Sequence, residues 1–187
     1  VNATTQLNRD IVNAVRSTIN QFALDNIGKF GADLRYSKIV TSIDNADPSI
    51  TSNDTHLAII KRLAPKPYTN TSYNIEFNNP AEYEETYAST SIPITPILSS
   101  SSFIYIGSDG VEYDVCYIQD DGKPNSLNVG KLIIVTTDLN GNKIILNPNL
   151  GTVNYSTGLV AIKDLNIKGY SNYISLYYQP KNKDIII

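Results

Sequence analysis

The sequence predicts an α+β fold, in which N-terminal amphipathic helices with a short strand precede a C-terminal antiparallel β-sheet or sandwich-like part. Apolar residues recur every three or four positions over roughly the first 25 residues, which is the period of an amphipathic helix. In the second part, apolar and polar residues alternate, and Asp-Gly and Asn-Gly dipeptides separate the runs. The chain also contains 13 Tyr and many Ile, and both residue types favour strands.

The composition excludes several classes of function. The 187 residues include one His (His56) and one Cys (Cys116), so no internal disulfide can form, and we expect no metal centre and no cofactor. The net charge of −3 and the lack of a basic stripe predict no nucleic-acid partner. No apolar run approaches the ~18 residues of a membrane span, so we expect no membrane insertion. The chain contains no Met, from which we expect a C-terminal piece of a longer protein.

The first predicted helix spans about six turns, from a cap at Thr4 or Thr5 to a stop at Gly28 and Gly31. Its apolar residues form one stripe with spacings of four and three. Because a helix of about 23 residues is ~35 Å long, two short helices and a small sheet can bury only part of that stripe. We expect the rest to contact another chain, and the predicted interface residues are Leu7, Ile11, Val15, Ile19 and Phe22.

A second, shorter helix is predicted over residues 37–44, with Ser37 as its N-cap and with its end before Asp47-Pro48. Residues 55–63 fit a helical face about as well as a strand. We favour the strand because the run is short and two prolines, Pro65 and Pro67, follow closely. The Pro- and Thr-containing stretch after this strand is typical of a linker.

Turn signals at regular spacing predict an antiparallel second part. The predicted domains are a helical α+β assembly domain over residues 1–65, a linker over residues 66–72 and an antiparallel β domain over residues 73–187. The predicted hairpins cover residues 103–119, 131–146 and 151–162, and a final strand covers residues 173–178. The terminal run of residues 184–187 is predicted to be an edge strand, or a strand that continues into residues beyond the chain.

Three groups of residues could carry chemistry, and each has a simpler explanation. Glu82, Glu84 and Glu85 could pair as in glycoside hydrolysis, but a solvated loop explains them better. His56 could act as a base, but it has no metal-ligand spacing. Cys116 could be a nucleophile, but it lies within an alternating strand, where a structural Cys is the expected type. We therefore predict that the protein is not an enzyme.

Two further patterns have a structural and a functional interpretation. The loop Asp138–Asn142 has oxygen ligands at alternate positions, but Lys143 and Asn149 stand where a calcium loop needs Gly and Glu, so a hairpin tip is predicted. Tyr side chains on the last predicted strand suit sheet packing, and they would also suit a binding platform for sugars or proteins. These residues are Tyr173, Tyr177 and Tyr178.

A specific resemblance lies in residues 30–50, FGADLRYSKIVTSIDNADPSI, directly after the long helix. This stretch resembles the C-terminal region of the baseplate wedge proteins of T4-like contractile-tailed phages, relatives of the baseplate J family. In that family a helix ends near a Gly, a short helix with an R-Y-S motif follows, and an I-D-N-A-D-P-S-I turn leads into a strand. Residues 151–158 also resemble a hairpin of phage tail proteins. The residues that carry the first match are Arg35, Tyr36, Ser37, Asp44, Asn45, Asp47 and Pro48.

The resemblance implies a structural subunit of a phage tail baseplate wedge, with no catalytic residues to carry over. It implies homodimer-like contacts between copies of the chain and contacts with other baseplate wedge proteins, which together form an inner ring. It also implies a location in the virion tail baseplate after assembly in the host bacterial cytoplasm. The alternative, suggested by the Tyr- and Asn-rich second part, is a carbohydrate-binding or adhesin β-module of a tail fibre or cell surface.

Overall fold

Two helices and twelve strands make up the fold of the described residues. A computed structural model describes residues 3–27, 33–82 and 96–186. The chain forms two compact units, which we call the N-terminal unit (Val1–Leu57 with Asn182–Ile187) and the β unit (Ala58–Lys181). The elements are α1 Ala3–Asn26, β1 Asp33–Leu34, α2 Tyr36–Asp44, β2 Ile59–Leu63, β3 Thr71–Glu76, β4 Leu98–Ser100, β5 Phe103–Ile106, β6 Glu112–Asp120, β7 Val129–Thr137, β8 Lys143–Asn154, β9 Leu159–Leu165, β10 Ile167–Tyr170, β11 Ile174–Tyr178 and β12 Ile185–Ile186.

Both predicted helices are present in the N-terminal unit. Phe22 of α1 is buried in one cluster with Ile39 and Ile43 of α2 and with Leu34 of β1. The spacing of four between Ile39 and Ile43 places both side chains on the same face of α2, as the sequence indicates. The predicted stops of α1 at Gly28 and Gly31 lie outside the described residues.

The start of α2 differs from the prediction. Ser37 was expected to be the N-cap, but the helix begins at Tyr36 with Arg35 in the N-cap position. Among the described residues, the Arg35 side chain makes no capping hydrogen bond to the helix. Instead, the Tyr36 N–H donates to Oδ1 of Asp184 at 2.8 Å, so a carboxylate distant in sequence supplies the acceptor that a capping Ser would give.

The last residues of the chain complete the N-terminal unit. Strand β12 pairs antiparallel with β1, so that Asp33 is opposite Ile186 and Leu34 is opposite Ile185. The boundaries of the compact units lie between residues 57 and 58 and between residues 181 and 182, and residues 66–72 belong to the β unit. The physical reason is that residues 59–63 form a strand of the large sheet, whereas the C-terminal strand pairs with β1.

The β unit contains a large antiparallel sheet with the strand order β2-β11-β4-β6-β7-β8-β9-β3, and β5 pairs with both β6 and β10. All strand pairs are antiparallel, so the predicted α+β class is confirmed. The strand interpretation of residues 55–63 is confirmed for Ile59–Leu63. The predicted hairpins form β5–β6, β7–β8 and β8–β9, and the second and third of these share the 12-residue strand β8.

The core of the β unit contains one buried carboxylate. Asp120 is only 2% exposed and lies at the end of β6, on the same side as the buried Ile118. Its Oδ1 accepts from Leu98 N–H at 2.8 Å, and its Oδ2 accepts from the Tyr155 hydroxyl at 2.7 Å and from Gly122 N–H at 3.1 Å. Burial raises the pKa of this carboxyl above its ordinary value, while the three donors act in the opposite direction.

Candidate interaction surface

The predicted interface stripe of α1 is divided between a buried and an exposed part. Phe22 is buried, and Val15 is half-buried and packs against the same cluster. Ile11 is half-buried, and Ile19 is 37% exposed. Leu7 lies within α1, but its side chain is outside the described residues. The internal cluster of the N-terminal unit thus uses Phe22 and Val15 and leaves Ile19 in contact with solvent.

A second exposed apolar side chain lies on the same face of the helix as Ile19. Val12 is 53% exposed and precedes Ile19 by seven residues. Two residues seven apart are two helical turns apart and face nearly the same way, with a separation of about 10 Å along the axis. We call Val12 and Ile19 the α1 ridge. Val12 was not among the predicted interface residues, although its seven-residue spacing from Ile19 is visible in the sequence.

Arg35 and Tyr36 of the family-like motif contact the C-terminal segment. The Arg35 guanidinium lies 3.0 Å from Asp33 Oδ2 and 3.3 Å from Asp184 Oδ2. Tyr36 donates its backbone N–H to Asp184, and its ring lies 5.1 Å from the Lys183 ammonium. The Tyr36 N–H, followed by the Arg35 guanidinium, holds the pKa of Asp184 below its ordinary value.

The remaining motif residues shape the turn after α2. Asn45 N–H bonds the Thr41 carbonyl at the end of the helix. Asp44 Oδ1 accepts from Asn53 Nδ2 at 2.6 Å. Asp47 accepts from both the backbone and the hydroxyl of Ser49, which lowers the pKa of Asp47. Pro48 is exposed within the same turn, and Ser37 lies in the first turn of α2. Asp44, Asn45 and Asp47 thus bond other residues of the N-terminal unit.

A shallow groove of about 400 Å³ lies between α1 and α2. It is a weak candidate for a ligand site, because two of its hydroxyls are already used. Thr41 and Ser42 each donate to a backbone carbonyl four residues earlier in α2. The groove is lined by Phe22, Asn26, Ser37, Lys38, Thr41 and Ser42.

Of the residues considered for catalysis, His56 belongs to the N-terminal unit, and Glu82 and Cys116 belong to the β unit. His56 Nε2 is near Asp54 Oδ2 at 3.3 Å, and both side chains are exposed. Cys116 is buried, and burial raises the pKa of its thiol to about 11, which suits a structural Cys. Glu82 is exposed, and Glu84 and Glu85 lie outside the described residues. Within the described ranges, no group of three or more His, Cys, Asp or Glu could hold a metal ion.

The structure describes both the loop Asp138–Asn142 and the Tyr side chains near the last long strand. Asp138 accepts from the backbone N–H groups of Asn140 and Asn142, which closes the tip of the β7–β8 hairpin as predicted. On β11, Tyr178 is fully buried, and Tyr177 remains partly exposed. Tyr173 precedes that strand and is half exposed. Tyr178 therefore packs within the sheet, as the structural interpretation of these Tyr side chains predicts, and it cannot belong to an exposed binding platform. In the described part of the chain, no helix is long and apolar enough to span a membrane.

Comparison with known families identifies the N-terminal segment. Residues 1–62 match the family described as baseplate structural protein gp6, C-terminal domain III. The matched segment contains α1, β1, α2 and most of β2, and it ends before most of the β unit. No curated protein matches the chain. The first third of the chain is thus similar to a domain of a phage baseplate structural protein, which supports a structural role in the tail baseplate of a virion.

Proposed function

We propose that the chain is a structural subunit of a phage tail baseplate wedge, in which copies associate with one another and with other wedge proteins to form the inner baseplate ring. The observation that carries the proposal is the match of residues 1–62 to a baseplate structural domain. Assembly in the host bacterial cytoplasm and final location in the virion baseplate are parts of the same proposal. No catalytic step is proposed.

The proposed contact between two copies is the α1 ridge, in the manner of a homodimer. Val12 and Ile19 are exposed on one face of a 24-residue helix, while Phe22 and Val15 are engaged within the N-terminal unit. Exposed apolar side chains at a spacing of seven residues suit packing against another helix. A two-fold contact would bring the ridges of two copies together, because such an interface uses the same patch on both partners.

Sedimentation of the Ile19→Asp variant tests this contact. A charge in a packed apolar interface should weaken self-association by roughly 100-fold or more. The matched control is Ser17→Asp, which places the same charge at an exposed position on the opposite side of α1. We expect the wild type and the control to be dimeric at micromolar concentration and the Ile19 variant to be monomeric. A wild type that is already monomeric at that concentration would contradict the proposed contact.

The second candidate, a carbohydrate-binding or adhesin module, has weaker support. It depends on exposed aromatic side chains, namely those of Tyr173 and Tyr177. Arg62 lies 5.8 Å above the Tyr173 ring, which gives that ring a partner within the protein. A glycan array decides between the two functions, because saturable binding to a defined glycan would favour the module over assembly.

A further inference from the structure

We propose that β1 and the first turn of α2 form a binding site for an extended C-terminal segment, and that in the assembled protein this site holds residues 183–186 of a second copy. We call residues 182–186 the C-terminal arm. In this structure the arm of the same chain occupies the site. The inference rests on the proposed self-association and adds a second contact to it, in which each copy donates its arm.

The site recognises the arm through both backbone and side chains. Two residue pairs, Asp33 with Ile186 and Leu34 with Ile185, form the short β1–β12 ladder. Ile185 packs against the buried cluster that contains Phe22. The backbone ladder gives the arm its direction, and the Ile185 contact fixes which side chain faces the core.

Asp184 is the anchor of the arm. One carboxylate oxygen accepts the Tyr36 N–H at 2.8 Å, and the other lies 3.3 Å from the Arg35 guanidinium. A carboxylate at this position also interacts favourably with the positive N-terminal end of α2. The neighbouring Lys183 ammonium lies over the Tyr36 ring. Four consecutive arm residues thus contact Asp33, Leu34, Arg35 and Tyr36, and the start of α2 is incomplete without them.

The same contacts are suited to exchange between copies. The charged pair is solvent-exposed, with exposed side-chain fractions of 51% for Arg35 and 53% for Asp184, so it adds little to the barrier for release. A ladder of two residue pairs belongs to the least stable class of secondary structure. Since two copies are identical, an arm bound in trans makes every contact that it makes in cis.

The residue at which the arm begins is also defined. In the β unit, Lys181 N–H bonds the Pro80 carbonyl at 2.8 Å, and Pro180 forms an isolated bridge with Ala81. These contacts hold the chain up to residue 181 within the β unit. The arm therefore starts directly after a fixed point of the β unit.

Disulfide trapping of the full-length protein tests the exchange. Two differently tagged chains are co-expressed, one with Asp33→Cys and the other with Ile186→Cys, because directly opposed residues of antiparallel strands are close enough to form a disulfide. The native Cys116 is buried and contributes little background. The control pair replaces Ile186→Cys with Lys181→Cys, an exposed position outside the ladder. We expect at least about tenfold more disulfide-linked heterodimer from the first pair than from the control.

A double variant and a measurement on the unmodified protein complete the test. If Asp33→Cys and Ile186→Cys in one chain yield only an intrachain disulfide, and the mixed pair yields no heterodimer, the arm stays in cis and the inference is wrong. Hydrogen exchange of the wild type needs no substitution. Exchange in trans predicts that protection of the Leu34 and Ile185 amides rises with protein concentration, whereas an arm in cis gives constant protection. Dimeric sedimentation without trapped heterodimer would reject the arm exchange and leave the proposed function standing.

Discussion

Replacement of Asp120 should destabilise the β unit to an extent that depends on how many donors lose their acceptor. Asp120→Ala removes the acceptor of Leu98 N–H, Gly122 N–H and the Tyr155 hydroxyl. Each buried donor left without a partner costs about 1–3 kcal/mol, so the three donors together correspond to a loss of roughly 3–9 kcal/mol in the free energy of unfolding.

Asp120→Asn should cost less, for a geometric reason. The amide oxygen can still accept from Leu98 N–H, and the Tyr155 hydroxyl can rotate to accept from the new amide group. Only Gly122 N–H then faces a donor instead of an acceptor, so we expect a loss of about 1–3 kcal/mol. Urea unfolding followed by far-UV circular dichroism measures both variants, with Asp114→Asn as an exposed control on the same strand.

The pH dependence of the free energy of unfolding gives an independent check on the role of Asp120. The pKa of Asp120 is higher in the folded protein than its ordinary value of 3.8, because burial disfavours the charged form. The folded state therefore binds this proton more tightly than the unfolded state. The contribution of the carboxyl to stability is fully present below pH 3.8 and is lost as the pH rises through the raised pKa of the folded state.

The Asn variant has no such titration, so its deficit relative to wild type should be larger in acid than at neutral pH. Equal pH slopes for the wild type and Asp120→Asn would refute the assignment of this titration to Asp120. A loss below about 1 kcal/mol for Asp120→Ala would refute the hydrogen-bond reasoning itself.

Two further substitutions test the packing of each unit. Phe22→Ala should remove about 3–5 kcal/mol from the N-terminal unit, because it empties the cluster between α1 and α2, and thermal unfolding of the helical signal measures it. Gly151→Ala would place a Cβ in a steric clash with the Ala161 carbonyl oxygen, so we expect a loss above about 3 kcal/mol in the free energy of unfolding, measured in urea. Gly169→Ala is the matched control, since its nearest neighbour would be at 3.9 Å. Comparable losses at the two glycines would contradict the close approach of β8 and β9.

The hairpins could be predicted because their signals are local. Asp-Gly at 109–110 and Asn-Gly at 140–141 separate β-rich runs, and the glycines adopt positive φ values of 78° and 83°. The faces of β6 were harder to predict. Strict alternation groups Tyr113 with Val115 on one face, but a register shift between β5 and β6 places Tyr113 against the core and leaves Val115 exposed. A bulge of this kind has no clear signal in a single sequence.

Asp120 shows a signal that sequence reasoning could have used. Cys116, Ile118 and Asp120 alternate along β6, so the strand period already places Asp120 on the buried face. An acidic residue is rarely buried without partners, and two of the three partners of Asp120 come from β4 and from the turn after β8, far away in sequence. Ile19 is the opposite case, because it is an apolar residue whose side chain is exposed. The helical period grouped it with Phe22, but the small N-terminal unit buries only part of the stripe.

The family match and the N-terminal unit do not cover the same residues. The matched segment ends at residue 62, whereas the acceptor for Tyr36 N–H and one partner of Arg35 is Asp184. A fragment cut at residue 62 would keep the motif and lose β12, so both β1 and the start of α2 would lack their partners. The N-terminal unit is therefore built from two separated segments, residues 1–57 and 182–187, and assembly experiments require both.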